Sequence, residues 1–374
     1  MKVLSLFSGV GGFDMGLENA GMQTVFQCEW DKHCRTILEQ HWPTVPKWDD
    51  VSTLTGEHIL AHAPVIDVVA WGSPCQDLAV AGKRAGLEGG RSGLFYEGMR
   101  IITELRKVSN GKYPRISIWE NVYGALNSNK GEDFEAILKE MVESGSLLCE
   151  WRVLDAQYFG VPQRRRRVFV VAVFDSATAN RCPDPLLPVS EGLRWNPTTR
   201  TAKRQESANT VTASIGIGSR MRGFGDYIND DTASQASQSV AYPIQDGREI
   251  EKNQNGLGVV GEGATDKVDG TKTTSVIAFA SNQRAEVRDL DDRAVALSAE
   301  PGTNQQTYLA IAEPKMVVRR LTPLECERLM GWPDNHTRYK ADGTEQADTH
   351  RYKQCGNGVA SPVAQWIGEQ LRDL

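Results

Sequence analysis

Val3-Leu4-Ser5-Leu6-Phe7-Ser8-Gly9-Val10-Gly11-Gly12 stands almost at the start of the chain. Residues 3–7 read as a buried strand, and the glycine cluster reads as a tight turn. Beyond it Phe13, Leu17 and Ala20 share one helical face that ends near Gly21. A strand, a glycine turn and a helix in that order open a βαβ unit. The turn lets backbone approach a ligand, and the helix beyond offers free N–H groups. The third glycine of the dinucleotide fingerprint is missing, which argues against a nicotinamide enzyme.

Residues 25–28, 65–70, 116–119 and 167–174 read as further strands, and residues 132–143 have helical periodicity. Strands separated by helices suggest right-handed crossovers and a parallel sheet covered on both faces. From residue 182 to about 314 small and polar residues dominate, with weak β patterns at 240–244, 276–280 and 308–312. This predicts a second, loop-rich domain. Thr322-Pro323-Leu324-Glu325 carries the marks of a capping box opening a helix that stops near Gly331. Val363, Trp366, Ile367 and Leu371 form an apolar stripe on a last helix, which must dock, and the first domain is the obvious partner. The expected division is residues 1–180, 181–316, and a return segment, 317–374, completing the first domain.

Composition narrows the class. The 374 residues are 40% hydrophobic and 24% charged, ordinary for a globular chain and too long for one core. The 42 basic and 48 acidic residues give a net charge of −6. That disfavours a bulk electrostatic nucleic-acid binder but leaves room for a basic cleft. No apolar run approaches the roughly 18 residues of a membrane span. Seven scattered cysteines without a Cys-x-x-Cys pair read as reduced thiols in a cytosol, with no zinc site or disulfide framework expected.

Chemistry-bearing residues cluster at strand ends. Glu29, after the second strand, is placed to hold a ribose hydroxyl pair, Trp30 offers a flat face for adenine, and Asp50 could accept from an adenine amino group. The alternative is a tight turn with surface acids. Pro74-Cys75-Gln76 ends a strand where open sheets place ligands. A cysteine there is oriented as a nucleophile toward an electron-poor carbon, although a lone cysteine is usually buried and inert. Between residues 78 and 93, five glycines with Lys83, Arg84 and Arg91 look like a basic loop able to close over a phosphate backbone. Glu120 could give a proton to a ring nitrogen if burial raises its pKa, or simply cap the next helix. In Gln163-Arg164-Arg165-Arg166-Arg167 alternate side chains face opposite ways, so Arg165 and Arg167 share a side, unless the run is a solvated edge.

In this order the segments resemble the DNA (cytosine-5)-methyltransferases over residues 2–175 and 317–374. Arg91-Ser92-Gly93-Leu94-Phe95, Arg319-Arg320-Leu321-Thr322-Pro323-Leu324-Glu325 and Gly356-Asn357-Gly358-Val359 add to the match. The resemblance implies an α/β, Rossmann-like S-adenosylmethionine-dependent fold with a smaller, mostly β target-recognition domain. It implies Phe7, Ser8, Gly9, Gly11, Gly12, Glu29, Trp30, Asp50, Pro74, Leu94, Asn357 and Val359 as the cofactor pocket. Cys75 would add to C6 of a flipped-out cytosine, Glu120 would serve N3, and Arg167 would hold O2 with support from Arg165. Double-stranded DNA is the implied partner. Gln76, Lys83, Arg84, Arg91, Gln163 and Thr210 are its candidate contacts, followed by Arg164, Arg166, Arg220, Arg222, Arg284 and Arg288.

Two departures stand out: Leu78-Ala79 where the family often has Phe-Ser, and Gly358 where it usually has Ser. An RNA-directed cytosine methyltransferase is the alternative within this chemistry, and a non-catalytic DNA-binding relative the alternative outside it. The middle region favours DNA, and intact Cys75, Glu120, Arg165 and Arg167 favour an enzyme. A cytoplasmic monomer in a prokaryotic or phage setting is expected, with a restriction endonuclease as a possible functional partner.

Overall fold

The computed structural model describes residues 1–74, 93–188, 220–223, 275–281, 287–289, 294–295, 297, 306–312 and 317–374. The first half runs β1 (Lys2–Leu6), α1 (Gly12–Asn19), β2 (Gln23–Cys28), α2 (Lys32–His41), β3 (Lys47–Trp48), α3 (Gly56–His62), β4 (Val68–Trp71), α4 (Gly93–Val108) and β5 (Ile116–Val122). It continues through α5 (Glu132–Glu143), β6 (Leu148–Asp155), β7 (Gln163–Arg164), β8 (Arg166–Val173), α6 (Ser176–Arg181) and β9 (Arg220–Gly223).

Eight of these strands form one sheet in the order β3-β2-β1-β4-β5-β8-β6-β9. From β3 to β5 every neighbour is parallel. The chain builds outward from β1 to β3, then starts again on the other side with β4. The strand order therefore reverses between β1 and β4, and a crevice opens at their carboxyl ends.

The expected parallel sheet holds for most strand pairs and gives way at β8, which runs antiparallel to both β5 and β6. Only residues 156–165 separate β6 from β8. A parallel return needs a crossover of a dozen or more residues, so this short connection leads back the opposite way. Strand periodicity carries no direction, which is why the pattern of residues 167–174 did not show it.

Period-two alternation fills both faces. Val3, Val68, Ala70, Ile116 and Ile118 join one core with α1 residues Phe13 and Leu17. Leu4, Leu6, Val69, Trp71 and Trp119 join the other with α4 residues Ile101, Ile102 and Leu105. Each fully buried Leu or Ile among them contributes roughly 1.5–3 kcal/mol.

The later elements are β10 (Ser275–Ser281), β11 (Val287–Asp289), β12 (Ala294–Val295), β13 (Gln306–Ala312) and β14 (Val317–Arg320), then α7 (Pro323–Leu329), α8 (Asp348–Asn357) and α9 (Ser361–Leu371). β11-β10-β13-β14 form an antiparallel sheet, while β12 pairs with β7. The expected strands at 276–280 and 308–312 lie inside β10 and β13; the weak pattern at 240–244 lies outside the described residues.

α7 opens with the capping box, Thr322 Oγ1 accepting from Glu325 N–H and the Glu325 carboxylate accepting from Thr322 N–H. α9 docks on α1: of the expected stripe Val363, Ile367 and Leu371 are buried with Leu17, joined by Ala364, while Trp366 is half-buried against Phe159. The helices approach closely. A Cβ on Gly16 would collide with Ser361 O, and one on Gly368 would lie 2.7 Å from Ala20 Cβ. The chain thus closes its first helix with its last.

Candidate active site

The loop after β1 begins under strain. Phe7 has φ 54, a left-handed conformation that costs a side chain roughly 1–2 kcal/mol. Ser8 holds the loop inward: its N–H donates to Cys28 O at 3.1 Å and its Oγ to Ser5 O at 3.0 Å. Gly9 and Gly11 also have positive φ, 57 and 86. Among the described residues nothing lies within 4 Å of where a Gly9 Cβ would be, whereas at Gly11 a Cβ would collide with the Trp42 ring. Gly12 abuts the return segment, its Cβ position lying 2.5 Å from Val359 O.

Glu29 closes this loop from the end of β2. Its carboxylate accepts from Gly9 N–H and from Asp31 N–H, both at 2.7 Å. Burial pushes its pKa up to about 7, against the pull of those two bonds. Arg35 Nη1 donates to Glu29 O and Trp30 O, fixing the chain where the Trp30 ring stands 73% exposed. Asp50 lies past β3, with Oδ1 accepting from Ser52 N–H and Oγ. Open space over a glycine, a carboxylate beside it and an exposed indole together suit an adenosyl group. Leu94 is half-buried in the first turn of α4, and Asn357 is exposed at the end of α8.

A second cluster forms where β4 and β5 end. Trp119 Nε1 donates to Ser73 Oγ at 3.2 Å and Asn121 Nδ2 to Ser73 O at 3.0 Å, so Ser73-Pro74 is held from β5. A Cβ on Gly72 would come within 3.2 Å of Glu120 Oε2. Glu120 is buried, and burial raises its pKa while Arg167 and Arg165 pull it down. Arg167 Nε stands 3.1 Å from Glu120 Oε1.

Alternation across the arginine run turns the odd-numbered residues inward. Gln163 and Arg165 are buried, and Arg167 faces Glu120. Arg166 turns the other way, its Nε 3.6 Å from Asp155 Oδ2. Arg165 N–H donates to Asp155 Oδ1 at 2.8 Å, and its Nη2 donates to Gly356 O at 3.0 Å and Gly358 O at 2.5 Å. Burial, reinforced by Arg167, lowers its pKa to about 9, so it stays charged at neutral pH. Among the described residues, both amide atoms of Gln163, and Nε and Nη1 of Arg165, are buried without a hydrogen-bond partner, a cost of roughly 1–3 kcal/mol each that a ligand could relieve.

Cys75, Gln76, Lys83, Arg84, Arg91 and Thr210 lie outside the described residues, as does Arg284. For Arg220, Arg222 and Arg288 only the strand backbone is described.

Several supporting groups lie outside the sequence motifs. Asp14, fully buried in α1, accepts from Ser5 Oγ and Gln27 Nε2, both at 2.9 Å, and ties the glycine turn to β1 and β2. Burial raises its pKa to about 6. An acid beside the buried helix face was the available signal. Asp155, which orients Arg165, and the Ser73 clamp from Trp119 and Asn121 left no comparable mark.

The family model for C-5 cytosine-specific DNA methylases matches residues 1–373. The chain belongs to that family. Its enzyme class is therefore that of the DNA cytosine methyltransferases, and methyltransferases of this family use S-adenosylmethionine in general.

The type II methyltransferase M.HpaII of Haemophilus parainfluenzae is 29% identical over 98% of this chain and 88% of its own length. A protein of Escherichia phage P1 named a DNA N-6-adenine-methyltransferase is 28% identical over 98% of this chain. The chain spans 60% of the length of that longer protein. In fold the chain is similar to a prophage-encoded DNA modification methyltransferase of E. coli, with a TM-score of 0.55 and 21% identity over 100% of this chain and 99% of the other. Among the described residues no helix is long and apolar enough to cross a membrane, and no group of three His, Cys, Asp or Glu side chains is placed to hold a metal.

Proposed function

We propose that this chain methylates C5 of a cytosine flipped out of duplex DNA at a specific sequence, as a cytoplasmic monomer with type II character. The observation that carries this reading is the meeting of Glu120 and Arg167 at 3.1 Å beside the clamped Ser73-Pro74, one residue before Cys75. Phe7 to Gly12, Glu29, Trp30 and Asp50 would hold the adenosyl half of S-adenosylmethionine, with Pro74, Leu94, Asn357 and Val359 toward its methionine end. When bound there, S-adenosylmethionine supplies an electrophilic methyl group on a sulfonium centre.

Cytosine C5 is a poor nucleophile while the ring is aromatic. Cys75, as thiolate, adds to C6 and converts C5 into the carbon of an enamine. Glu120, its pKa raised by burial, donates to N3 and draws charge from C6. Arg167 donates to O2, and Arg165 stiffens it from behind. Loss of the C5 proton later pushes electrons back into the ring and expels the Cys75 thiolate. A stacked base cannot reach these groups, so it must leave the duplex. Gln76, Lys83, Arg84, Arg91, Gln163 and Thr210 are the proposed DNA contacts, and the region from 181 to 316 the part that reads sequence.

Base-resolution cytosine-methylation sequencing in a methylation-deficient host, beside a Cys75→Ala control, tests this. Methylation at one short motif, absent from the control, is the expected result. Soluble protein that binds cofactor yet leaves all host DNA unmodified would overturn it.

A further inference from the structure

Four residues of the return segment, Gly356 to Val359, touch both halves of the site. Toward the base pocket, the carbonyls of Gly356 and Gly358 are the acceptors that hold Arg165. Toward the cofactor loop, Val359 O lies 2.5 Å from where a Gly12 Cβ would stand. Trp332 braces this backbone from beneath. Its Nε1 donates to Val359 O at 3.1 Å, and its ring packs so tightly under Gly358 that a Cβ there would lie 2.5 Å from Cη2 and Cζ2. Trp332 is 4% exposed and packs beside His336, so the ring has no room to step aside. Gly358 has φ −72, which any residue adopts. Glycine is therefore favoured at 358 by its surroundings and not by its own φ: the indole crowds the Cβ position most, with Gln354 O a further 3.0 Å contact.

We infer that Trp332 is a positioning residue for the methyl-transfer site. Paired with Gly358, it sets the level of residues 356–359, and so locates Arg165 and the Gly12 turn together. The inference rests on the proposed function, since it gives the two sides of the segment their meaning. Base pocket and cofactor loop then share one support, and a change beneath that support is felt on both sides.

The test uses the full chain as parent, Gly358→Ser, Trp332→Phe and the double variant. Phenylalanine lacks the outer indole carbons that a serine side chain at this glycine would strike, but it also lacks the Nε1–H donor. Two readouts are taken separately. Calorimetric binding of S-adenosylmethionine without DNA reports the cofactor loop. Release of tritium from C5-tritiated cytosine in a duplex, without cofactor, reports the base pocket, because thiolate addition at C6 lets C5 take a solvent proton and lose its tritium before the thiolate departs.

Overpacking at Gly358→Ser is expected to weaken both readouts by roughly tenfold or more. Trp332→Phe should lower both by a few-fold, and the double variant should recover to about the level of Trp332→Phe alone. If Gly358→Ser does not fold, the double variant and Trp332→Phe still decide the matter by whether the two readouts move together. Loss on one side only, an unaffected Gly358→Ser, or a double variant no better than Gly358→Ser would overturn the inference. A parent that binds cofactor but exchanges no C5 tritium overturns the proposed reaction itself, and the inference with it.

Discussion

Gly9 and Gly11 sit two residues apart in the same loop, yet alanine should act mainly on cofactor affinity at the first and mainly on stability at the second. Both have left-handed φ, so each substitution carries a backbone cost of roughly 1–2 kcal/mol. At Gly11 the new methyl would also strike the buried Trp42 ring. That ring is pinned by its Nε1–H to the Glu18 carboxylate at 3.0 Å. Overpacking of this kind adds roughly 1–3 kcal/mol, for about 2–5 kcal/mol in all. At Gly9 no described atom is within 4 Å, so the methyl meets only the space proposed for the adenosyl group.

Urea unfolding should therefore show Gly11→Ala losing about twice as much stability as Gly9→Ala, while calorimetry shows Gly9→Ala losing more than about tenfold in cofactor affinity, equivalent to ~1.4 kcal/mol. A Gly9→Ala protein that binds S-adenosylmethionine like the parent would show that the open space over Gly9 is not where the cofactor lies. A Gly9→Ala protein less stable than Gly11→Ala would sink the packing argument.

Two further outcomes follow from titrating groups. Burial raises the Glu120 pKa, and the proton it donates is lost as pH climbs through that raised value, so turnover should fall on the alkaline side. Glu120→Gln should remove that limb and lower kcat by roughly 10²–10⁴-fold, as read from pH–rate profiles of both proteins. His336 is held neutral, its pKa lowered to about 4 by burial and by His41, with Nε2–H donating to Val10 O at 2.7 Å. The unfolded chain takes up this proton below about 6.5 and the folded one does not, so stability is full above 6.5 and drains as pH falls toward 4. The loss is roughly 3 kcal/mol. His336→Gln, which keeps a donor for Val10 O, should flatten that slope in unfolding curves measured between about pH 4 and 7; an unchanged slope would assign the acid sensitivity elsewhere.

The opening βαβ unit and the docking of the last helix were legible because period-two and period-3.6 patterns report which faces are buried. Strand direction is not a periodic property, and β8 shows the result: its apolar run announced a buried strand while the brevity of residues 156–165 reversed it. Within the site, residues at strand ends such as Glu29, Glu120 and the inward-facing arginines could be picked out one by one. Their holders could not. Ser73 is fastened by Trp119 and Asn121, Arg165 by Asp155 and by carbonyls far along the chain, and nothing in a local window ties such partners together. Gly358 looked like a loss at a familiar motif; beside Trp332 it is the smaller member of a fitted pair.

The embrace of α1 by α9 also sets a timetable for synthesis. A ribosome adding about 5–20 residues per second finishes α1 long before α9 exists, by an interval of tens of seconds. Through that interval Leu17, Phe13 and the flat glycine face at Gly16 have no cover from Val363, Ala364 and Ile367. The nascent chain carries an adhesive patch at α1, and weakening the α1–α9 contact should reduce the yield of soluble protein more than the activity of the molecules that do fold.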